Sequence, residues 1–435
     1  MKESSLIYQD YIQKPQFRFK NKIDNSENPW KSNIQSKPNA LEPLDLYLEK
    51  REDGAAAYCH PYEPELEKFK TPEDQLEKVP ITDCKSMSEI ALKLVESVEQ
   101  LLSMLDDLKD QKEIAIALKD HSERSFQGFT CLLLISTRYT DYIIDALKLR
   151  SELEVLNEVL TEPTILKVLY NADSDIVKLQ RDFSLYIVNM FDITTAGEVC
   201  LKFTYLSYLL KKFCNVDLKN AHLSTDWRLR PLAKYLIDNA RESVHYLLSL
   251  KDALVNELVD RKELEMVYEK SWKLCKKTYE KPKWSKESHL ILYKRLSDKQ
   301  FDAEQLFTLN VLNCMRFELA RFFDESQGYI LPDEIMLRIA ETIAIENAEV
   351  YDFRTHFFSI DLVKWYIEQV NGIMAREKEN RKTIGGKVYE DLPLTFTDFL
   401  DSPAVPKKFG IVKIFWIAIV VCFSTFYSLW SINKI

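Results

Sequence analysis

Residues 125–150 read SFQGFTCLLLISTRYTDYIIDALKLR, and the run CLLLIST at 131–137 decides the fold class. Seven residues with no charge and no alternation predict a strand covered on both faces, the mark of a central strand in an α/β sheet. DYIIDAL at 141–147 predicts a second strand, paired with the first across Arg138, Tyr139 and Thr140. Strands are expected at 113–118, 165–170 and 187–192, and helices near 153–160 and 173–182. Strands alternating with helices argue a mixed sheet with helical cover. Upstream, Met87, Ile90, Ala91, Leu94, Val95, Val98, Leu101, Leu102 and Leu105 recur at helical spacing, so 86–108 is expected to be one helix. Everything after 192 reads as helical. From about 262 to 372 the pattern suggests a second, all-α domain.

Residues 1–85 carry eight prolines between Pro15 and Pro80, which leaves no room for a sustained helix. They read as an extended segment draped over a neighbour. The chain has 435 residues, a formal charge of −9 and 46% hydrophobic residues. That apolar content excludes global disorder. The acidic balance excludes whole-molecule binding to a polyanion, so any RNA contact must be local. The eight cysteines are scattered, with no C-x-x-C pair, and read as reduced core residues. No cofactor or metal motif is present.

Residues 414–432, IFWIAIVVCFSTFYSLWSI, contain no charge. Nineteen residues match a bilayer core of about 30 Å. Ile414, Trp416, Val420, Trp430 and Ile432 would be the membrane residues, with the two tryptophans near the interfaces. Lys407, Lys408 and Lys413 precede the run and Lys434 follows it. A tail anchor with the larger part facing the cytosol is expected. The flanking lysines favour the mitochondrial outer membrane, with the endoplasmic reticulum or nuclear envelope as the alternative.

Three blocks carry a resemblance: 125–150, LKVLYNADSDIVKLQRDFSLYIVNMFD at 166–192, and DWRLRPLAKYLIDNARESVHYLL at 226–248. Together they resemble the three exonuclease blocks of RNase D-like 3′–5′ exonucleases of the DEDD superfamily, nearest the exosome-associated branch. Residues 15–40 and 60–66 are similar to that branch's extended segment, and 323–341 to its helical HRDC domain. The resemblance implies an RNase H-like α/β exonuclease domain and an HRDC-like domain; the charge-free run at 414–432 adds the expectation of a C-terminal transmembrane helix beyond them. The expected boundaries are an extended segment at 1–85, exonuclease-like domain at 86–260, HRDC-like domain at 285–370, linker at 373–410 and anchor at 414–432.

The family's mechanism uses four carboxylates around two metal ions, and a tyrosine. The resemblance places Ala117 and Lys119 at the first two carboxylate positions, Asp175 at a retained one, Asn239 at the tyrosine and Ser243 at the last carboxylate. Asp120 or Glu113 would replace the lost pair only by a register slip. Asp238 and Glu242 read as solvated helix residues, and His245 as structural. Lys119 is either a charge in the cleft or a solvated strand end. A pseudoenzyme holding no metal is therefore expected. The function expected is a membrane-tethered adapter or scaffold in RNA processing, extending to small-RNA biogenesis. A residual exoribonuclease using displaced carboxylates and a protein-interaction module without RNA are the alternatives. Candidates for single-stranded RNA are Arg228, Arg230, Arg241, Lys276, Lys277 and Trp284, although in so acidic a chain the three arginines have the stronger claim as internal ion-pair partners. Protein partners of an RNA-processing assembly are expected, and exosome binding is placed in doubt.

Overall fold

The computed structural model describes residues 12–51, 54–80, 84–218, 225–285, 287–297 and 299–343. The linker at 373–410, the anchor at 414–432 and the end of the HRDC-like region lie outside the described residues. Among the described residues, no helix is long and apolar enough to cross a membrane. The contact pattern divides the chain into two units, before and after Lys283.

The first unit is built on a six-stranded sheet. Its strands are β3 (Ala91–Val95), β4 (Glu113–His121), β5 (Phe129–Ser136), β6 (Thr140–Asp145), β7 (Leu166–Leu169) and β8 (Met190–Asp192), in the order β3-β6-β5-β4-β7-β8. β5 pairs antiparallel with β4 and β6; β4–β7, β7–β8 and β3–β6 are parallel. Every residue of β5 is buried. The reason is its two-residue period. Leu132 and Leu134 point into one apolar layer and Leu133 and Ile135 into the other. The first layer is closed by α5 (Ile193–Leu201), α6 (Leu206–Cys214), α7 (Lys234–Glu242), α8 (Leu247–Arg261) and α9 (Leu264–Cys275). The second is closed by α2 (Val98–Lys109), α3 (Asn157–Leu160) and α4 (Ala172–Phe183).

The single helix expected over 86–108 is instead a strand and a helix. β3 runs along β6 with Ala91 opposite Thr140, and α2 starts only after Ser97. Ser97 Oγ accepts from the Gln100 amide while Gln100 Oε1 accepts from the Ser97 amide. This capping box is the local signal that marks the helix start. A five-residue edge strand was too short to interrupt the apolar spacing. The helix of 264–275, expected in the second domain, packs in the first unit. Tyr268 of α9 sits edge-on against Phe191 of β8, ring centroids 5.5 Å apart, and Leu264 and Val267 join it in the apolar layer on the sheet.

The described N-terminal segment is largely extended, with a short hairpin of β1 (Leu48–Lys50) and β2 (Ala56–Tyr58), a short α-helix, α1 (Glu63–Lys68), and single 3-10 turns at Pro15–Arg18 and Glu73–Leu76. Side chains of the core satisfy its backbone. Asn33 N–H donates to Ser184 Oγ (3.0 Å) and Gln35 N–H to Glu154 (2.6 Å). Tyr62 is fully buried and donates to Pro38 O at 3.1 Å. The second unit's described helices are α10 (Ser288–Leu296), α11 (Ala303–Phe323), α12 (Gln327–Ile330) and α13 (Asp333–Ile343). Asp302 caps α11 in a second capping box with Gln305.

Candidate functional site

Strand β4, helix α4 and helix α7 carry the five sequence-derived positions, with Ser243 as the C-cap of α7. Ala117 and Lys119 are two residues apart on β4, so both face the layer closed by α7 and α8. Ala117 is buried and carries no polar atom. Lys119 is half-buried rather than a solvated strand end. Its ammonium lies 5.1 Å from the ring centroid of Trp227. Burial pulls its pKa down, against Asp175, Asp120 and Glu242, which pull it up.

Asp175 sits in the first turn of α4 and is buried. Burial pushes its carboxyl up to about 7; Lys178 opposes the shift and Asp120 adds to it. Lys178, one turn on, stands 3.6 Å from Asp175 and 3.0 Å from Asp120. Sequence reading missed it, although the i, i+3 spacing from Asp175 was visible. Asp192, at the end of β8, is also buried near Asp175. Its oxygens accept from Ala172 N–H (3.2 Å), Thr195 N–H (3.0 Å) and Thr195 Oγ1 (2.7 Å), which makes it the cap of α5.

On α7, Asn239 is buried and Ser243 Oγ donates to Ala240 O at 2.6 Å. Glu242, expected to be solvated, is only 8% exposed and acts on Lys119. Its position explains this: three residues after Asn239, it lies on nearly the same helix face. Asp238 is half-buried. His245 is structural, its Nδ1 at 2.7 Å from Asp141 Oδ2 and its Nε2 at 2.9 Å from Lys85 O.

The three RNA-candidate arginines are internal. Arg228 binds Asp226 through Nε and Nη2 at 2.9 and 2.7 Å. Arg230 binds Asp145 at 2.6 and 2.9 Å. Arg241 pairs with the fully buried Asp141. Each guanidinium answers a buried carboxylate, so none is offered to a ligand. Lys276 lies 4.5 Å over the Trp272 ring and 3.6 Å from Glu67. Lys277 pairs with Asp173. Trp284 belongs to the second unit, where it packs against Phe317.

A family model described as a 3′–5′ exonuclease matches residues 92–259. The chain is 42% identical over 342 residues to the Exosome complex component 10 homolog of Drosophila melanogaster, covering 77% of this chain and 38% of that protein. It is 36% identical over 397 residues to the Exosome complex exonuclease RRP6 of Saccharomyces cerevisiae, covering 88% and 52%. The chain thus spans about half or less of the length of these relatives. Among solved structures, the catalytic core of RRP6 from Trypanosoma brucei superposes with a TM-score of 0.70 at 27% identity, covering 83% of this chain and 99% of that one. RNase D of Escherichia coli, at 16% identity and a TM-score of 0.51, shares the fold. The first unit is an α/β, RNase H-like exonuclease domain.

These relatives overturn the expected membrane-tethered adapter. Proteins with exosome and exonuclease names match over most of the chain. The doubt placed on exosome association is likewise not upheld.

The two divalent ions implied by the family do not fit the residues present. Ala117 offers no donor, Lys119 brings a cation, Asp175 is shared with Lys178, and the oxygens of Asp192 are spent on backbone and Thr195. Hard cations need several free oxygens. Among the described residues, no cluster of three His, Cys, Asp or Glu side chains is poised to hold an ion.

Proposed function

The chain belongs to the RNase D-like 3′–5′ exonuclease family, and from that premise we propose that it works on RNA 3′ ends as a residual exoribonuclease of the exosome-associated kind. One observation carries the reading: Asp120, Asp175 and Glu242 all act on the Lys119 ammonium, which lies against Trp227, in a domain that superposes on an RRP6 catalytic core. Asp175 is the carboxylate retained from the family's set. Asp120 and Glu242 are carboxylates displaced from its pattern. Activity is residual because only one expected ligand remains. The partners that fit are RNA and the proteins of an exosome-type assembly. Four helices at 288–343, with the 323–341 string, support an HRDC-like role for the second unit.

The test is single-turnover digestion of a 5′-labelled single-stranded RNA with either a free or a 3′-phosphorylated end. Stepwise shortening of the free end alone supports the reading; endonucleolytic products or equal cutting of both contradict it.

Localisation rests on the charge-free run at 414–432 and its flanking lysines. We propose the cytosolic face of the mitochondrial outer membrane, tested by imaging a fluorescent protein fused to residues 400–435.

A further inference from the structure

Arg150 and Arg181 share a single carboxylate. Arg150 Nη2 donates to Asp182 Oδ1 at 2.9 Å; Arg181 donates through Nε and Nη2 to the same group at 2.9 and 2.8 Å. Asp182 also accepts from the amide and the hydroxyl of Thr130, each at 2.7 Å. Its oxygens are therefore fully used. Both guanidinium side chains are nine-tenths buried and Asp182 is 1% exposed. The two buried guanidinium groups share Asp182 as their hydrogen-bonded carboxylate, with Asp120 acting on Arg181 from farther off. Arg150 Nη1 is buried and has no hydrogen-bond partner among the described residues. The flanking Phe19 and Phe183 rings, 4.5 and 5.6 Å from the Arg150 guanidinium carbon, solvate cation faces but accept no N–H in the plane.

An excess buried cation is costly unless a counter-anion answers it. The same residues border a cavity of about 250 Å³ between the N-terminal segment and the core. The segment contributes Lys22, Asp24, Trp30 and Lys31; the core contributes Arg150, Arg181, Asp182 and Glu154; Lys281 closes the wall. The carboxylates there are already engaged. Asp24 accepts from Lys281 at 2.5 Å, and Glu154 accepts the amides of Gln35 and Ser36 at 2.6 and 3.0 Å. Lys22 and Lys31 have no carboxylate partner among the described residues; Lys22 donates to Phe17 O and Lys31 lies over the Tyr58 ring. Five cations against three spent carboxylates leave the cavity positive.

We propose that this cavity is an anion site for a phosphate monoester group, separate from the Lys119–Asp175 pocket, and that its occupancy fastens the N-terminal segment to the exonuclease domain. The volume is below the roughly 300–1,000 Å³ of ordinary ligand pockets. It therefore takes a phosphate group with few atoms attached rather than an RNA chain. A tetrahedral dianion supplies both missing terms, charge for the shared guanidinium pair and acceptors for the segment's lysines. Because the wall is half segment and half core, binding ties the two together.

The experiment is calorimetric titration of the full chain, in phosphate-free buffer, with inorganic phosphate, uridine 5′-monophosphate and uridine. Hydrogen exchange of residues 20–35 is followed in parallel. Phosphate and the monophosphate should bind, uridine should not, and exchange at 20–35 should slow on binding. Binding by the monophosphate alone would place the source as a mononucleotide; binding by both, as the phosphate group itself. Lys22→Glu with Lys31→Glu, both exposed, should weaken binding by about tenfold or more through reversed field at the cavity mouth. A Trp227→Ala variant separates this site from the exonuclease pocket and should leave affinity unchanged. Absence of millimolar binding by either anion overturns the proposal, as does binding that survives the double lysine variant or is lost in Trp227→Ala.

Discussion

The ammonium of Lys178 stands 3.6 Å from Oδ1 of Asp175, one turn earlier on the same helix. It also reaches Asp120 at 3.0 Å, so one cation joins two of the carboxylates of the exonuclease pocket. A protein cation thus answers charge that in a metal-loaded nuclease is answered by an ion. Even so, burial dominates at Asp175 and pushes its carboxyl up to about 7.

That shift makes a pH prediction. The native carboxyl keeps its proton up to about pH 7, whereas the unfolded one loses it near the ordinary value of 3.8. Between those limits the native state binds more protons, so stability falls as pH rises, and the whole penalty is present above pH 7. Asp175→Asn removes the charge. It should raise the stability at pH 8 by on the order of 1–4 kcal/mol, seen as a higher melting temperature, and bring no gain near pH 4. Scanning fluorimetry of both proteins across that range measures it.

Restoring the family's groups should restore its chemistry only as a set. Ala117→Asp, Lys119→Glu, Asn239→Tyr and Ser243→Asp together should create divalent-cation binding visible by calorimetry. Each single change should not, because a two-ion site needs all its oxygens at once. A quadruple variant that folds but binds no Mn²⁺ would mean that α7 and β4 are spaced differently from the family's site.

The arginines and lysines first grouped as RNA contacts should separate in experiment. Arg241→Ala strands the fully buried Asp141 beside His245 and should cost about 3–5 kcal/mol of stability. Lys276→Ala with Lys277→Ala should change melting little, since their partners Glu67 and Asp173 are exposed. Urea denaturation of both variants decides this.

Gly197 tests the packing of α5 on the segment leading to α6. A Cβ there would meet Phe203 O at 2.7 Å and Leu209 Cδ1 at 2.9 Å. Gly197→Ala should cost about 1–3 kcal/mol by overpacking, seen as a lower urea midpoint with unchanged slope.

Much of this was legible in the sequence for a simple reason. A strand such as β5, buried on both faces, must be apolar throughout, and 131–137 announces itself. The edge strand β3 has no such constraint: Leu92 and Leu94 are exposed, and its residues merged with the helical spacing of α2. Asp175, Asn239 and Ser243 lie within the strings at 166–192 and 226–248, and the string that begins at Ser125 set the register for Ala117 and Lys119. Glu242 and Lys178 were not legible in this way, because their role depends on which helix face the sheet covers. The arginine assignments needed partners 85 to 100 residues away, Asp145 for Arg230 and Asp141 for Arg241, and no spacing along the chain encodes them.

The central claim, residual 3′-end exonuclease activity centred on Asp175, is tested most directly by single-turnover decay of a 5′-labelled RNA by the wild-type chain and by Asp175→Asn. The account predicts slow, one-nucleotide shortening from the 3′ end by the wild type and none by the variant, although the variant is the more stable protein at pH 8. Shortening that persists in Asp175→Asn, or a wild type that leaves the RNA intact, would contradict it.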